Sequence, residues 1–413
     1  MRIVHRRCCG LDVHKRVITA CLLVLEEDGE LREETRRFTT MSKDLLEMAD
    51  WLQAAGCKRV AMESTGVYWK PVYNILEAHS FDVIVVNAQH LKGVPGRKTD
   101  TIDAQWIAEC YQIGLLRASF VPPAPLRELR DLTRYRTSLI RDRARTVNRL
   151  QKVLEDANIK LASVVTDIQG ASAWAMLRAL VAGTSNPQSL AALAKGRLKQ
   201  KREQLEEALS GFVKPHHKFL LAEQLSQIDY LDEAIERISV EIGERLRPFE
   251  ELVNLLDTIP GVGRQIAECL LAEIGWDMSR FPTHRHLAAW SGICPGNNES
   301  AGRHRSGKTR KGSRWLRHTL IEASHGASRS KKTYLCAHYH RIAARRGKKK
   351  ALVAVAHSVL VIAYHIISRR EPYKDLGPNY FDDRDRDAVQ RRCVRRLEQL
   401  GFKVSIEPIN QAA

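Results

Sequence analysis

Two aspartates stand three positions apart at the start of a predicted helix, within the stretch KTDTIDA at 98–104. A helix over residues 101–113 would project the carboxylates of Asp100 and Asp103 from one face, within reach of a shared cation. Two neighbouring carboxylates repel each other unless a cation or a set of hydrogen-bond donors lies between them. In the simpler interpretation, Asp100 caps the helix and Asp103 complements the dipole of its first turn.

Two further acids occur on predicted strands of the same region. Asp12 lies in GLDVHK on a first strand over residues 3–13, and Glu63 lies in MESTG at the end of a strand over residues 59–62. An acid in an apolar strand is costly unless it is paired or bound to metal. Carboxylate oxygens suit Mg²⁺ or Mn²⁺, and two such ions about 4 Å apart promote phosphoryl transfer. The four acids together predict a centre of two metal ions.

The elements around these acids predict a mixed α/β sheet domain over residues 1–120. Alternating and apolar runs predict strands at 3–13, 17–25, 31–38, 59–62 and 82–86. Amphipathic spacing predicts helices at 42–55, 68–78 and 101–113, with Ser42 as the cap of the first of them.

The charge of the chain indicates a polyanionic partner. The 413 residues carry a net charge of +18 and are 44% hydrophobic, which describes a folded basic protein. Residues 301–350 hold sixteen lysines and arginines against one acid, Glu322, a clustering that favours a nucleic-acid surface. A nucleic acid is the expected partner.

The cysteines and apolar runs indicate where the protein works. Nine cysteines without a C-x-x-C pair suggest neither a zinc site nor a disulfide framework, and predict a reducing cytoplasmic setting. No apolar run precedes Asp12, so we expect no signal peptide. The apolar run at 351–367 is short for a membrane span and contains His357 and His365, and we predict a buried helix there.

The middle of the chain, residues 121–250, predicts an arginine-rich helical region. One long helix over residues 126–161 has an apolar stripe and eight arginines on its other faces. Phosphate contact through Arg134, Arg141 and Arg145 is one interpretation, and a solvated helical face is the other. Residues 225–246 have the heptad spacing of a coiled coil, which would pair either with the first helix or with a second copy.

A glycine-rich turn opens the next region, residues 251–350. The stretch LLDTIPGVG at 255–263, followed by a helix over residues 266–274, predicts a helix-hairpin-helix element. Backbone amides at Gly261 and Gly263 would bind phosphate without reading bases, unless the segment is a plain turn between helices.

A serine lies in a polar, glycine-flanked loop at 296–302, directly before the basic run. The cations that would hold a phosphodiester near Ser300 are Arg303, Arg305, Lys308, Arg310 and Lys311.

The order Asp, Glu, Asp-x-x-Asp resembles the RuvC-like branch of the RNase H fold. More closely, GLDVHK, MESTG and KTDTIDA resemble the DEDD transposases of the insertion-sequence family named IS-one-ten, recombinases of bacterial mobile elements. The resemblance implies that the metal ligands are Asp12, Glu63, Asp100 and Asp103. Lys98, just before the pair, would neutralise phosphate or is a solvated loop lysine.

The same family has a second domain in which a serine is the nucleophile. The resemblance implies that this serine is Ser300, although Ala301 stands where glycine is usual. Ser291, Ser306 and Ser313 are its rivals. The family further implies a structured guide RNA that pairs with donor and target DNA, and a homo-oligomer, a dimer or tetramer. The resemblance is weaker at 162–215, and the role of a helical C-terminal region, residues 351–413, stays open.

Three functions follow from these residues. The favoured one is a DNA-cutting and DNA-joining recombinase that uses Ser300 and the metal centre. The second is a metal-only junction nuclease in which Ser300 only contacts phosphate. The third is an architectural nucleic-acid-binding protein without catalysis, in which the acids are structural.

Overall fold

The computed structural model describes residues 3–64, 66–87, 103–295, 298–300, 302–306, 308–309 and 312–407, with backbone alone at 298–300 and 304–306. The chain divides into two units, Met1–Pro122 and Pro123–Ala413. Each unit has its own hydrophobic core.

The first unit is built on a five-stranded sheet in the order β3-β2-β1-β4-β5. Strands β1 to β3 form an antiparallel meander, and β4 and β5 run parallel to β1. The elements are β1 (Arg7–Val13), β2 (Val17–Leu25), β3 (Leu31–Thr39), α1 (Ser42–Ala54), β4 (Arg59–Glu63), α2 (Trp69–Ala78), β5 (Asp82–Val86) and α3 (Asp103–Gln112). The predicted mixed α/β sheet is confirmed.

The two faces of this sheet are covered by different helices. Helices α1 and α2 pack through Leu45, Met48 and Leu76 on the face that holds Leu11. Helix α3 packs on the opposite face, against Cys8, Leu23 and Ala61. This arrangement follows from strand alternation, because successive side chains point to opposite faces.

The predicted cap of α1 is wrong. Ser42 is the first helical residue, Met41 holds the N-cap position and no side chain caps it there. Instead the Asp44 carboxylate accepts hydrogen bonds from the backbone and hydroxyl of Thr39, at 3.2 and 2.6 Å. These bonds hold the pKa of Asp44 below its ordinary value and tie the helix start to the end of β3.

In its described residues, the second unit is helical apart from one hairpin. Its elements are α4 (Ala124–Asp156), α5 (Leu161–Val164), α6 (Ala171–Val181), α7 (Pro187–Ala191), α8 (Arg202–Leu209), α9 (Pro215–Leu246), α10 (Glu250–Asp257), α11 (Arg264–Ile274), α12 (His284–Ser291), β6 (Asn298–Ser300), β7 (Arg303–Ser306), α13 (Arg314–Arg329), α14 (Tyr334–Arg346), α15 (Lys348–Arg369), α16 (Tyr380–Asp383) and α17 (Arg386–Gln399).

The single helix predicted over residues 126–161 is two helices. Helix α4 ends at Asp156, and Asn158 has the left-handed φ of 54° that breaks a helix. Leu161 then starts α5 and lies in a core with Leu150 and Leu177.

The two long helices α4 and α9 pack against each other in antiparallel fashion within one chain. Leu139 contacts Leu231 and Ala234 near the middle of the pair, and Arg245 pairs with Glu128 near one end. The heptad run therefore has its partner in this chain, through the first of the two arrangements that the sequence allows.

Helix α15 crosses the core of the second unit. Its residues Val355, Val359, Leu360 and Ala363 are fully buried, and the helix packs against α10, α12, α13 and α14. Among the described residues it is the one helix long and apolar enough to span a membrane. Its packing agrees with the predicted buried helix. Residues 402–407 have no regular secondary structure.

Candidate metal and strand-transfer sites

The start of helix α3 packs directly on strand β1 at Gly10, which is two residues before Asp12 in the sequence. A Cβ on Gly10 would come within 2.2 Å of the Ala104 carbonyl oxygen and 2.4 Å of the Ala108 nitrogen. Only glycine permits this approach of helix to strand. Because alternate residues share a face, Asp12 follows Gly10 on the face that α3 covers.

Glu63 projects from the adjacent parallel strand at the same level. Leu11 of β1 pairs with Met62 of β4, so Asp12 and Glu63 are the next residues of the two strands in register. Neighbouring strands lie about 4.8 Å apart. Ala61 of β4 packs against α3. Glu63, two residues later on the same strand, lies on the same face of the sheet.

Asp103 begins α3, one residue before the helical turn that rests on Gly10. Asp12, Glu63 and Asp103 therefore converge at one end of the sheet on one face. Both Asp103 and Glu63 are half-buried, so their carboxylates lie at the rim rather than in the core. Asp100 and Lys98 lie outside the described residues, and their assigned roles stay predictions.

Asp12 has one hydrogen-bond partner that sequence reasoning did not use. Nε2 of His14 lies 3.0 Å from Oδ2 of Asp12, and the histidine side chain is 65% exposed while the aspartate side chain is 20% exposed. The donor set of three hard oxygens at strand and helix ends fits Mg²⁺ or Mn²⁺.

A second group of metal-ligating residues lies in the other unit. Ligand atoms of Asp156, His216 and His217 all lie within 4.8 Å of one another. However, Nδ1 of His217 accepts a hydrogen bond from the Lys214 backbone at 3.2 Å, which leaves the proton on Nε2, 2.9 Å from the Asp156 carboxylate. Both ring nitrogens are thus used to fix the start of α9, which favours a structural role.

The candidate nucleophile Ser300 lies on a β-hairpin, where the sequence predicts a flexible loop. Strand β6 pairs with β7, and Ser300 is opposite Arg303 across a turn in which Gly302 has a φ of 71°. Backbone pairing explains the difference, because it satisfies peptide groups that a polar loop would leave to solvent. Lys308 and Arg303 are exposed, whereas nothing is described for Arg310, Lys311 or the side chain of Arg305.

Two of the three rival serines have structural hydrogen bonds. The Ser291 hydroxyl is fully buried and donates to the Ala288 carbonyl at 2.9 Å. The Ser313 hydroxyl accepts from the Leu316 amide at 3.2 Å and so caps α13. Ser306 lies on β7, and its side chain is not among those described.

Most arginines of the predicted phosphate-binding helix already have partners inside the chain. Arg134 forms a bidentate pair with Glu273 at 2.7 and 3.0 Å, and Arg145 pairs with Asp142 at 2.8 Å. Arg136 pairs with Glu268 at 2.7 Å, and both side chains are at most 4% exposed. Arg130, whose burial lowers its pKa to about 10, donates to the Ala272 carbonyl at 2.8 Å. Among the described residues Arg141 has no such partner, and it lies beside Trp315.

The predicted helix-hairpin-helix glycines have different environments. A Cβ on Gly261, which has a φ of +86°, would lie 2.2 Å from the Ala327 nitrogen and 2.3 Å from the Ala323 oxygen of α13. Gly261 is therefore required for close packing of the turn on α13. Gly263 precedes α11 and has no comparably close neighbour. Phosphate contact at either amide stays a prediction.

The strand order 3-2-1-4-5 with acids at adjacent strand ends is that of an RNase H-like domain. Two family models match the chain: one described as "Transposase" over residues 9–159, and one described as "Transposase IS116/IS110/IS902 family" over residues 253–341. The chain belongs to the IS110 family of transposases. It is an enzyme of DNA strand transfer and recombination.

Curated relatives extend over most of the chain. A pilin gene-inverting protein of Moraxella bovis is 23% identical over 384 residues, which cover 88% of this chain and 96% of the relative. The transposase for insertion sequence element IS1111A of Coxiella burnetii is 24% identical over 330 residues, covering 77% and 79%. An uncharacterized 44.8 kDa protein of insertion element IS116 of Streptomyces clavuligerus is 26% identical over 275 residues, covering 59% and 66%.

Sequence reasoning missed two residues that position these sites. The need for glycine at position 10 depends on contact with helix α3, almost one hundred positions later, although the pattern Gly-x-Asp on a strand could have indicated it. Glu273 looked like an ordinary helical acid. It lies 3% exposed, accepts from Arg134, and accepts from the Ser313 hydroxyl at 3.1 Å.

Proposed function

We propose that this transposase cuts and rejoins DNA by attack of the Ser300 hydroxyl on a phosphodiester, assisted by divalent metal. The observation that carries the proposal is the convergence of Asp12, Glu63 and Asp103 on the α3 face of the sheet, at adjacent strand ends. DEDD-type transposase domains generally use divalent metal ions, which supports the same assignment.

The chemistry of the serine step balances without an external energy source. The Ser300 oxygen forms a bond to phosphorus, and its proton passes to solvent. The bond from phosphorus to one deoxyribose oxygen breaks, and that oxygen takes up a proton. The resulting phosphoserine keeps the energy of the phosphodiester, so a second sugar hydroxyl can later displace the serine and join the new strand.

The acids and basic residues have separate tasks in this scheme. Asp12, Glu63, Asp100 and Asp103 would hold two Mg²⁺ or Mn²⁺ ions, which when bound polarise the phosphate and stabilise the leaving oxygen. The exposed cations Arg303 and Lys308 flank the hairpin and would orient the DNA backbone near Ser300. Arg305, Arg310 and Lys311 belong to the same run.

Target choice and assembly are further parts of the proposal. A structured guide RNA, pairing with donor and target DNA, would supply sequence recognition in the bacterial cytoplasm. We propose a dimer or tetramer as the working form. The positive charge of the chain, +18 overall, supports binding of more than one nucleic-acid strand.

The test is recombination of donor and target DNA with Mg²⁺ and RNA transcribed from the flanks of the element. We expect loss of recombination in Ser300→Ala and in Asp103→Asn, and dependence on the RNA. Cutting without joining in Ser300→Ala would favour the metal-only nuclease. Unchanged activity of Asp103→Asn would leave only an architectural role for the acids and would overturn the proposal.

A further inference from the structure

The start of α13 carries an aromatic ring surrounded by arginines. The guanidinium carbons of Arg134, Arg141 and Arg314 lie 5.8, 5.3 and 5.3 Å from the centroid of the half-buried Trp315 ring. An indole face attracts cations through its quadrupole. One ring therefore gathers three positive charges from two helices, α4 and α13.

The described part of the protein balances only one of the three charges around this ring. Arg134 is neutralised by the bidentate pair with Glu273. Neither Arg141 nor Arg314 has a carboxylate partner within the part of the chain that the structure describes. Two guanidinium groups on one ring repel each other unless an anion lies near both.

The position of Arg314 in its helix gives a second, independent indication of an anion. Arg314 is the first residue of α13, and the first turn contains no acid. A cation at this end opposes the helix dipole, whereas an anion there is stabilised by it. The first-turn backbone amides other than that of Leu316, which Ser313 caps, and the guanidinium groups of Arg141 and Arg314 would thus attract the same negative group.

The ring and its neighbours are rigidly held. Glu273 binds both Arg134 and the Ser313 hydroxyl, which caps the helix two residues before Trp315. The same helix also fixes the segment that carries Ser300. Arg317 donates to the Gly292 carbonyl and to the Thr309 hydroxyl, at 2.7 Å each, and so closes the base of the hairpin.

We propose that Arg141, Arg314 and Trp315 bind an unpaired DNA strand, with the guanidinium groups on neighbouring phosphates and a base stacked on the indole. Guanidinium groups match phosphate oxygens geometrically, and aromatic rings bind bases of any sequence. The choice of DNA rests on the proposed function, because the site adjoins the base of the hairpin that presents Ser300. The strand would be the one freed by cleavage.

The test is binding of a fluorescent single-stranded oligodeoxynucleotide to the full chain without Mg²⁺, followed by anisotropy at several salt concentrations. We expect Trp315→Leu to bind about tenfold more weakly. Arg141→Ala should lower the slope of log affinity against log salt by about 0.7, the value for one single-strand phosphate contact. Trp315→Phe, which retains a stacking face, should restore most of the affinity.

Arg143→Ala is the matched control for Arg141→Ala. It removes the same charge from the same helix, two positions later, but from a side chain paired with Asp232. We expect a change of less than about twofold from this variant. Thermal unfolding of each variant excludes loss of structure as the cause.

Three outcomes would overturn this inference: equal weakening by Arg141→Ala and Arg143→Ala, unchanged affinity in Trp315→Leu, or tighter binding of an RNA strand of the same sequence than of DNA. The assay needs no cleavage. A negative result in the binding assay would therefore not count against the Ser300 mechanism. Single-strand binding without recombination would count against the Ser300 mechanism and not against this binding site.

Discussion

Both units place carboxylates away from bulk water, but they stabilise them in opposite ways. In the second unit, Glu268 and Glu273 are each bound by arginines of α4. In the first unit, Asp12, Glu63 and Asp103 are gathered beside one another at the end of a sheet. Acids paired with arginine hold helices together, whereas acids gathered with other acids need a cation. This difference separates structural carboxylates from candidate metal ligands.

The largest expected effect is on activity, in the first unit. Asp12→Asn removes one ligand charge, so we expect strand transfer to fall by more than the roughly 100-fold typical of residues that only support a metal ligand. The free energy of unfolding without metal should be unchanged or higher, because repulsion among the acids is relieved. Recombination assays and thermal unfolding of the same preparation measure both quantities. A clear loss of stability would place Asp12 with the structural acids.

The next effect is on stability, in the second unit. Glu268→Ala leaves the buried Arg136 guanidinium without its carboxylate, and we expect a loss of about 3–5 kcal/mol in unfolding free energy. Asp232→Ala is the comparison, because it breaks a partly exposed pair with Arg143 and should cost less than about 1 kcal/mol. Urea unfolding of both variants gives the values. Similar losses in the two would contradict the structural role of the buried pair.

A third effect tests how α3 places Asp103. Gly10→Val forces a side chain into the Ala104 carbonyl, and we expect about 1–3 kcal/mol of destabilisation together with loss of activity. Gly29→Val is its control, since a Cβ there meets nothing within 4 Å; because Gly29 has a φ of +90°, that variant carries its own backbone strain. Recombination retained in Gly29→Val and lost in Gly10→Val would confirm that the close approach of helix and strand builds the site.

The strands of the sheet and the three described acids on it could be predicted from the sequence, because side-chain alternation and the succession of strands along the chain are local patterns. Asp12 and Glu63 came from an acid in an otherwise apolar strand, and the register then placed them side by side. The structural role of the arginines of α4 could not be predicted from the sequence, because their partners Glu268 and Glu273 are 132 to 139 positions away. The hairpin at Ser300 was missed since its strands are short and polar.

The smallest expected effect is a pH dependence of the second unit. Burial lowers the pKa values of His338 and His357 in the folded chain. The unfolded chain then binds more protons below about pH 6.5, so stability should be full above that pH and decrease as the pH falls. His357→Gln should flatten the dependence of the melting temperature on pH between 7 and about 5. If the melting temperature of His357→Gln depends on pH as that of wild type does, His357 is excluded as the source of the pH dependence.

The most direct test of the Ser300 mechanism is whether the protein stays covalently joined to the DNA it cuts. Labelled DNA is incubated with the protein, Mg²⁺ and the flanking RNA, then denatured, and protein that keeps the label is measured. We expect retained label for wild type and Ser306→Ala, and none for Ser300→Ala or Asp12→Asn. DNA cut by wild type without any label on protein would contradict the serine mechanism and leave a metal-only nuclease.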